Sequence, residues 1–110
     1  MLLEMGKKFA ITSNGKTEKS TLDLRFGKCH NLVIFDVEKN QYSIIENPFK
    51  ETEKSGVRLV KYLKEMGVNA IITGEVGPKV GSLLEKEKFQ LILLHEEKIK
   101  IEEIMDRINP

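Results

Sequence analysis

Three apolar runs limit the folds open to this chain more than any other feature. Leu32-Val33-Ile34-Phe35 sits inside the segment His30–Glu38, Val68–Thr73 reads VNAIIT, and Phe89–Leu94 reads FQLILL. A strand with one wet face alternates apolar and polar side chains. Strands apolar throughout belong to a sheet covered on both faces. The last two runs are separated by an amphipathic stretch, the pattern of parallel strands joined by a crossover helix.

The other elements fit around these runs. Lys8–Thr12 (KFAIT) reads as a first strand, ended by the turn Ser13-Asn14-Gly15. Leu22, Leu24 and Phe26 alternate with Asp23 and Arg25, so a short extended piece leads into Gly27. Lys39-Asn40 turns the second strand into a return strand, Gln41–Glu46, and Asn47-Pro48 ends that hairpin. Thr52 is placed to cap a helix over Val57–Met66, with Gly67 as its C-terminal glycine. Gly74-Glu75-Val76-Gly77 turns, Pro78 suits the first helical position, and Val80, Leu83 and Leu84 form that helix's apolar stripe. Ile101, Ile104, Met105 and Ile108 follow helical spacing at the end. The element order is β-β-β-α-β-α-β-α. Right-handed crossovers then favour a five-stranded mixed sheet of order 3-2-1-4-5, strand 2 antiparallel, in a three-layer α/β/α sandwich. One domain is expected over 1–110, with a core over about 8–108 and a short N-terminal extension, 1–7.

A net charge of +1 gives no bulk electrostatic case for nucleic acid or membrane binding. No apolar run approaches the roughly 20 residues of a membrane span. The start, Met1 to Lys8, lacks the features of a signal peptide. The single cysteine, Cys29, excludes an internal disulfide and a self-contained four-thiolate zinc or iron–sulfur site, and it suits a reducing cytoplasm. Abundant Lys and Glu hint at a thermophilic source.

In the expected sheet, five connections meet at one edge: Ser13-Asn14, Lys28-Cys29-His30, the segment 47–55, Gly74 to Pro78, and His95. Ligands of open α/β sheets bind there, near the reversal of strand order. Within Arg25-Phe26-Gly27-Lys28-Cys29-His30, Cys29 reads either as a thiolate activated by Arg25, Lys28 and His30, or as a small buried filler. His30 reads as a metal ligand or a surface histidine, and the two share a ligand only if one leaves the strand pleat. Gly74-x-x-Gly77 before a helix presents backbone N–H groups to an anion, with Lys79 helping and Glu75 opposing, or serves only as a tight turn. A two-metal nuclease-type site lacks a carboxylate on the first strand, and no base–nucleophile pair points to an enzyme.

Phe26-Gly27-Lys28-Cys29-His30 before an apolar strand, the Glu46-Asn47-Pro48 turn, and Gly74-x-x-Gly77 before a helix resemble the dinitrogenase iron–molybdenum cofactor biosynthesis family. This family is NifX-like and also forms the C-terminus of NifB-type proteins; the resemblance spans roughly Lys8 to Met105. It implies a ribonuclease-H-like α/β/α fold, without nuclease activity. It also implies a non-enzymatic role in binding or carrying an iron–sulfur-type or iron–molybdenum-type cofactor, with cofactor-assembly proteins as partners.

The chain departs from the family pattern in several places. Arg25 stands where many members have histidine, Lys28 where arginine is usual, and Cys29 replaces a small residue. The loop from Phe49 to Ser55 carries no histidine. The expected cofactor-binding set is Arg25, Gly27, Lys28, Cys29, His30, Ser13, Asn14, Gly74 and Gly77, with Cys29 and His30 as metal ligands. On that expectation Cys29→Ala abolishes a cluster's charge-transfer absorption. The rival expectation is a small regulatory or interaction module that binds an anionic metabolite or a protein at the same edge.

Overall fold

The fold is described from a computed structural model covering residues 7–96 and 98–110; most of the expected N-terminal extension, residues 1–6, lies outside the described residues. The strands are β1 (Lys8–Ser13), β2 (Asn31–Asp36), β3 (Gln41–Glu46), β4 (Ala70–Thr73) and β5 (Gln90–Leu93). The helices are α1 (Ser55–Glu65), α2 (Pro78–Lys86) and α3 (Ile101–Ile108). The sheet order is β3-β2-β1-β4-β5. β2 runs antiparallel to both neighbours, while β1, β4 and β5 are parallel, as expected from the sequence.

The central strands β1, β2 and β4 are buried on both sides because each side meets its own core, while the edge strands β3 and β5 are partly exposed. Along β4, Ile71 packs with Ala10, Leu32 and Ile34 against Leu59, Val60 and Leu63 of α1 and Leu84 of α2. Its neighbours Ala70 and Ile72 pack with Phe9, Ile11, Val33 and Phe35 against Ile101, Ile104 and Met105 of α3. The twofold pleat thus splits one apolar run between two cores. Between the parallel strands β1 and β4, Thr12 Oγ1 hydrogen-bonds Thr73 Oγ1 at 2.8 Å and donates to the Asp23 carbonyl at 2.6 Å. These buried bonds tie the Asp23 segment to the sheet edge. No helix among the described residues is long and apolar enough to cross a membrane.

Two element ends differ from expectation. α1 begins at Ser55, not Val57, and Thr52 does not cap it; the Thr52 hydroxyl donates to the Phe49 carbonyl at 2.9 Å. The N-cap is Lys54, in the left-handed region (φ 56°, ψ 36°), with no side-chain cap bond. At the far end Gly67 (φ 85°) closes α1 as expected, its N–H bonding Lys64 O while Val68 N–H bonds Leu63 O. α2 ends in the same motif without a glycine. Lys88 takes φ 65°, with Lys88 N–H on Glu85 O and Phe89 N–H on Leu84 O. A left-handed conformation costs a non-glycine residue about 1 kcal/mol. Lys88→Gly is therefore expected to raise the unfolding free energy by about 0.5–1 kcal/mol, measured by urea denaturation.

Candidate functional site

The hexapeptide Arg25–His30 takes its shape from a residue just outside it. Asp23 follows Leu22, which is buried on the α3 side of the sheet, while Phe26 is buried on the α1/α2 side. Crossing the sheet edge between these anchors traps the Asp23 side chain at 5% exposure. Oδ1 accepts from Arg25 N at 3.0 Å and Arg25 Nε at 3.1 Å. Oδ2 accepts from Arg25 Nη2 at 3.1 Å and His30 N at 3.3 Å. One carboxylate thus ties both ends of the segment together, and its bonds raise the Arg25 guanidinium's pKa above its ordinary value. Sequence reasoning noted only its alternation with Leu22 and Leu24 and did not single it out.

Cys29 and His30 part company at this clamp. Cys29 is fully buried in the α1/α2-side core, its Sγ 3.6 Å from Asn47 Nδ2. Asn47 Nδ2 also donates to the Gly27 and Cys29 carbonyls at 2.9 and 3.0 Å, pinning the loop from below. Burial, with the Asp23 charge adding to it, pushes the Cys29 thiol up to about 12. Of the two readings of Cys29, the structure matches the small buried filler and not the thiolate activated by neighbouring cations: Arg25 is paired with Asp23, and the thiol is shielded from water. His30 is exposed and lines a shallow hollow with Asn14, Asp23, Arg25 and Glu75. The two expected metal ligands therefore do not converge. Among the described residues, no group of three or more His, Cys, Asp or Glu side chains is placed to hold a metal ion.

On the other side of Arg25 and Glu75 lies an open cleft of about 380 Å³. Arg25, Phe26, Gly27 and Lys28 form one wall, Ser55 and Gly56 the floor, and Glu75, Val76, Gly77 and Val80 the far wall. The N-termini of α1 and α2 both open onto it. Neither has a side-chain cap bond or an acidic residue in its first turn. The first backbone bonds into these helices come from Arg58 and Gly81. The N–H groups of Ser55, Gly56, Val57, Lys79 and Val80 thus have no backbone acceptor among the described residues. Two positive helix ends facing one space favour an anion. Lys28 Nζ stands beside the cleft and meets the Thr52 carbonyl at 3.0 Å.

The glycines and polar residues of the expected set have different duties. A Cβ on Gly27 would lie 2.5 Å from Gly56 N and 2.7 Å from Ser55 Oγ, so its absence keeps the cleft floor clear. A Cβ on Gly56 would lie 2.7 Å from Val80 Cγ2, so that glycine lets α2 approach α1. Gly77 faces open space, whereas Gly74 is buried and a Cβ there would strike Leu24 Cα at 2.6 Å. Gly74 thus allows close packing on Leu24 and does not line the cleft. Ser13 is buried, its hydroxyl bonded to the Gly15 carbonyl at 3.0 Å, and Asn14 holds Thr21. Neither Ser13, Asn14 nor His95 lines the cleft. Ser55, Gly56, Val76 and Val80 were missed as site residues. The small pair Ser55-Gly56 at a helix start was the available signal.

If Asp23 organises the segment, its loss should exceed that of its cation. Asp23→Ala leaves the Arg25 and His30 amides without their acceptor and is expected to cost about 2–3 kcal/mol of stability. Arg25→Ala removes two of the four bonds but leaves each carboxylate oxygen one backbone amide, and is expected to cost less, about 1–2 kcal/mol. Paired urea denaturations of the two variants check the order.

The model of the family described as "Dinitrogenase iron-molybdenum cofactor" matches residues 5–109. No functionally curated protein matches the chain significantly. Among solved structures, the apo orange protein from Desulfovibrio gigas superposes with a TM-score of 0.84 at 21% identity, covering 93% of this chain and 86% of that one. A candidate NifB protein from Thermotoga (TM1290), assigned to the DUF35 family, gives 0.78 at 24% identity, with 93% and 86% covered. PH0822 gives 0.75 at 17% identity, with 92% and 88% covered. These likenesses show a shared fold, and the family match over nearly the whole length identifies this chain as a member of the dinitrogenase iron–molybdenum cofactor family.

Proposed function

We propose that the chain is a non-catalytic binding or carrier protein for an anionic metal–sulfur cofactor of the iron–molybdenum type, acting in the cytoplasm and exchanging its cargo with cofactor-assembly proteins. The observation that supports this most is the cleft where two uncapped helix N-termini meet beside Arg25 and Lys28. Family membership supplies the kind of cargo. Clusters of this type carry negative charge on their outer atoms, and backbone N–H groups with a nearby cation suit that surface.

The side chains fit such a cargo as a host fits an anion, not as a ligand set fits a metal. Cys29 is sealed in the core, and the described residues offer no three-ligand group. The cargo brings its own metal ligands, and this chain supplies charge and shape. Lys28 and Arg25 offset charge, and Gly27 leaves room for close approach. Phe26, Val76 and Val80 give the cleft apolar walls. His30 meets only a cargo large enough to pass over the rim formed by Arg25 and Glu75. Glu75, exposed on that rim, works against an anion and limits affinity, which suits a protein that must release what it carries.

The test is anaerobic loading with isolated iron–molybdenum-type cofactor, followed by gel filtration and metal and sulfide analysis. Wild type is expected to retain the cofactor. Lys28→Glu is expected to weaken retention by about tenfold or more, more strongly at low salt, and Glu75→Gln to strengthen it. Cys29→Ala is expected to load as wild type does. Failure of the wild type to retain any cofactor contradicts the proposal.

A further inference from the structure

Ser55 stands out among the polar residues near the cleft. The residue is 5% exposed, yet its hydroxyl has no hydrogen-bond partner among the described residues. No fully enclosed side-chain oxygen in that region lacks a partner, so the exposure that remains to Ser55 Oγ is toward the cleft it lines. The side chain is thus held in place by its burial while its hydroxyl stays open to the cleft and uncommitted to any partner among the described residues. Around it stand the N–H groups of Ser55, Gly56 and Val57, which have no backbone acceptor. Gly27 lies directly over this group, and a methyl in place of its hydrogen would press on both Ser55 Oγ and Gly56 N. The bare α1 terminus, an aimed hydroxyl and a space one carbon would close thus coincide.

We propose that this corner of the cleft is a seat for a tetrahedral oxyanion. Its oxygens accept hydrogen bonds from the Ser55 hydroxyl and from the amides at the start of α1. Lys28 provides the nearby positive charge. A hydroxyl donor and converging amides match the several acceptor oxygens of a phosphate or an oxometalate. The apolar remainder of the cleft, Phe26, Val76 and Val80, accommodates whatever the oxyanion is attached to. The inference deepens the reading of the cleft as an anion site: it assigns one end of the ligand to phosphate-like oxygen chemistry. That end is either a free inorganic oxyanion or the phosphate of an organic molecule.

The experiment is amide NMR of the full-length chain during separate titrations with inorganic phosphate, molybdate and adenosine monophosphate at fixed ionic strength. The expected result is saturable shifts centred on Ser55, Gly56 and Val57, weakened by about fivefold or more in Ser55→Ala. Ser43→Ala, on the exposed outer strand, should bind as wild type does. Gly27→Ala should abolish the shifts; its own spectrum shows whether it is folded, and Ser55→Ala carries the test if it is not. Tighter binding of adenosine monophosphate than of phosphate assigns the seat to an organic phosphate. Equal or tighter binding of molybdate or phosphate assigns it to a free oxyanion. Shifts that do not saturate, that scatter over surface lysines, or that survive Ser55→Ala unchanged overturn the seat. Cofactor retention without these shifts removes the seat and leaves the carrier reading standing. Saturable oxyanion shifts without cofactor retention support the seat and contradict the carrier reading.

Discussion

The buried Asp23 carboxylate is the interaction on which the site depends. It accepts from two backbone amides and twice from the Arg25 guanidinium, and so fixes a segment that has no regular secondary structure. A carboxylate taken out of water is costly unless its oxygens are satisfied, and here both are. The bonds set the direction of every side chain from Arg25 to His30. Arg25 is turned to the rim, Phe26 and Cys29 point inward, and Lys28 and His30 point outward on either side of the ridge.

The second requirement is that α1 and α2 start close together. Gly56 permits it, because any larger residue there would collide with Val80. Parallel β4 and its crossovers bring both helix starts to the edge that also receives the Asp23 segment. The Arg25–Glu75 bridge joins that segment to the turn after β4. The cleft is therefore a product of topology: the edge where strand order reverses is also where two helix dipoles present their positive ends. Neither terminus spends those N–H groups on a side-chain cap.

The sequence carried the sheet almost completely, because strand order follows from which runs are apolar throughout and where helices separate them. Of the residues it singled out, Arg25, Gly27, Lys28 and Gly77 line the cleft. It left the chemistry of Cys29 open between an activated thiolate and a buried filler. Proximity in sequence to three basic residues suggested activation, but the irregular segment sends Cys29 into the core and His30 to solvent. Asp23 was hidden for a related reason. Alternation with Leu22 and Leu24 marks it as wet, whereas the chain is crossing from one core to the other at that point. The start of α1 was obscured because a lysine N-cap in the left-handed region has no sequence signature, unlike the Ser, Thr, Asp or Asn caps that usually mark a helix.

The central claim is that the cleft holds its cargo by charge and hydrogen bonds, without bonding to the metal. X-ray absorption at the metal edges of cofactor-loaded protein, set against free cofactor, tests it most directly. The account predicts an unchanged first coordination shell, the same in wild type and Cys29→Ala. A new sulfur or nitrogen neighbour that disappears in Cys29→Ala or His30→Ala would contradict it.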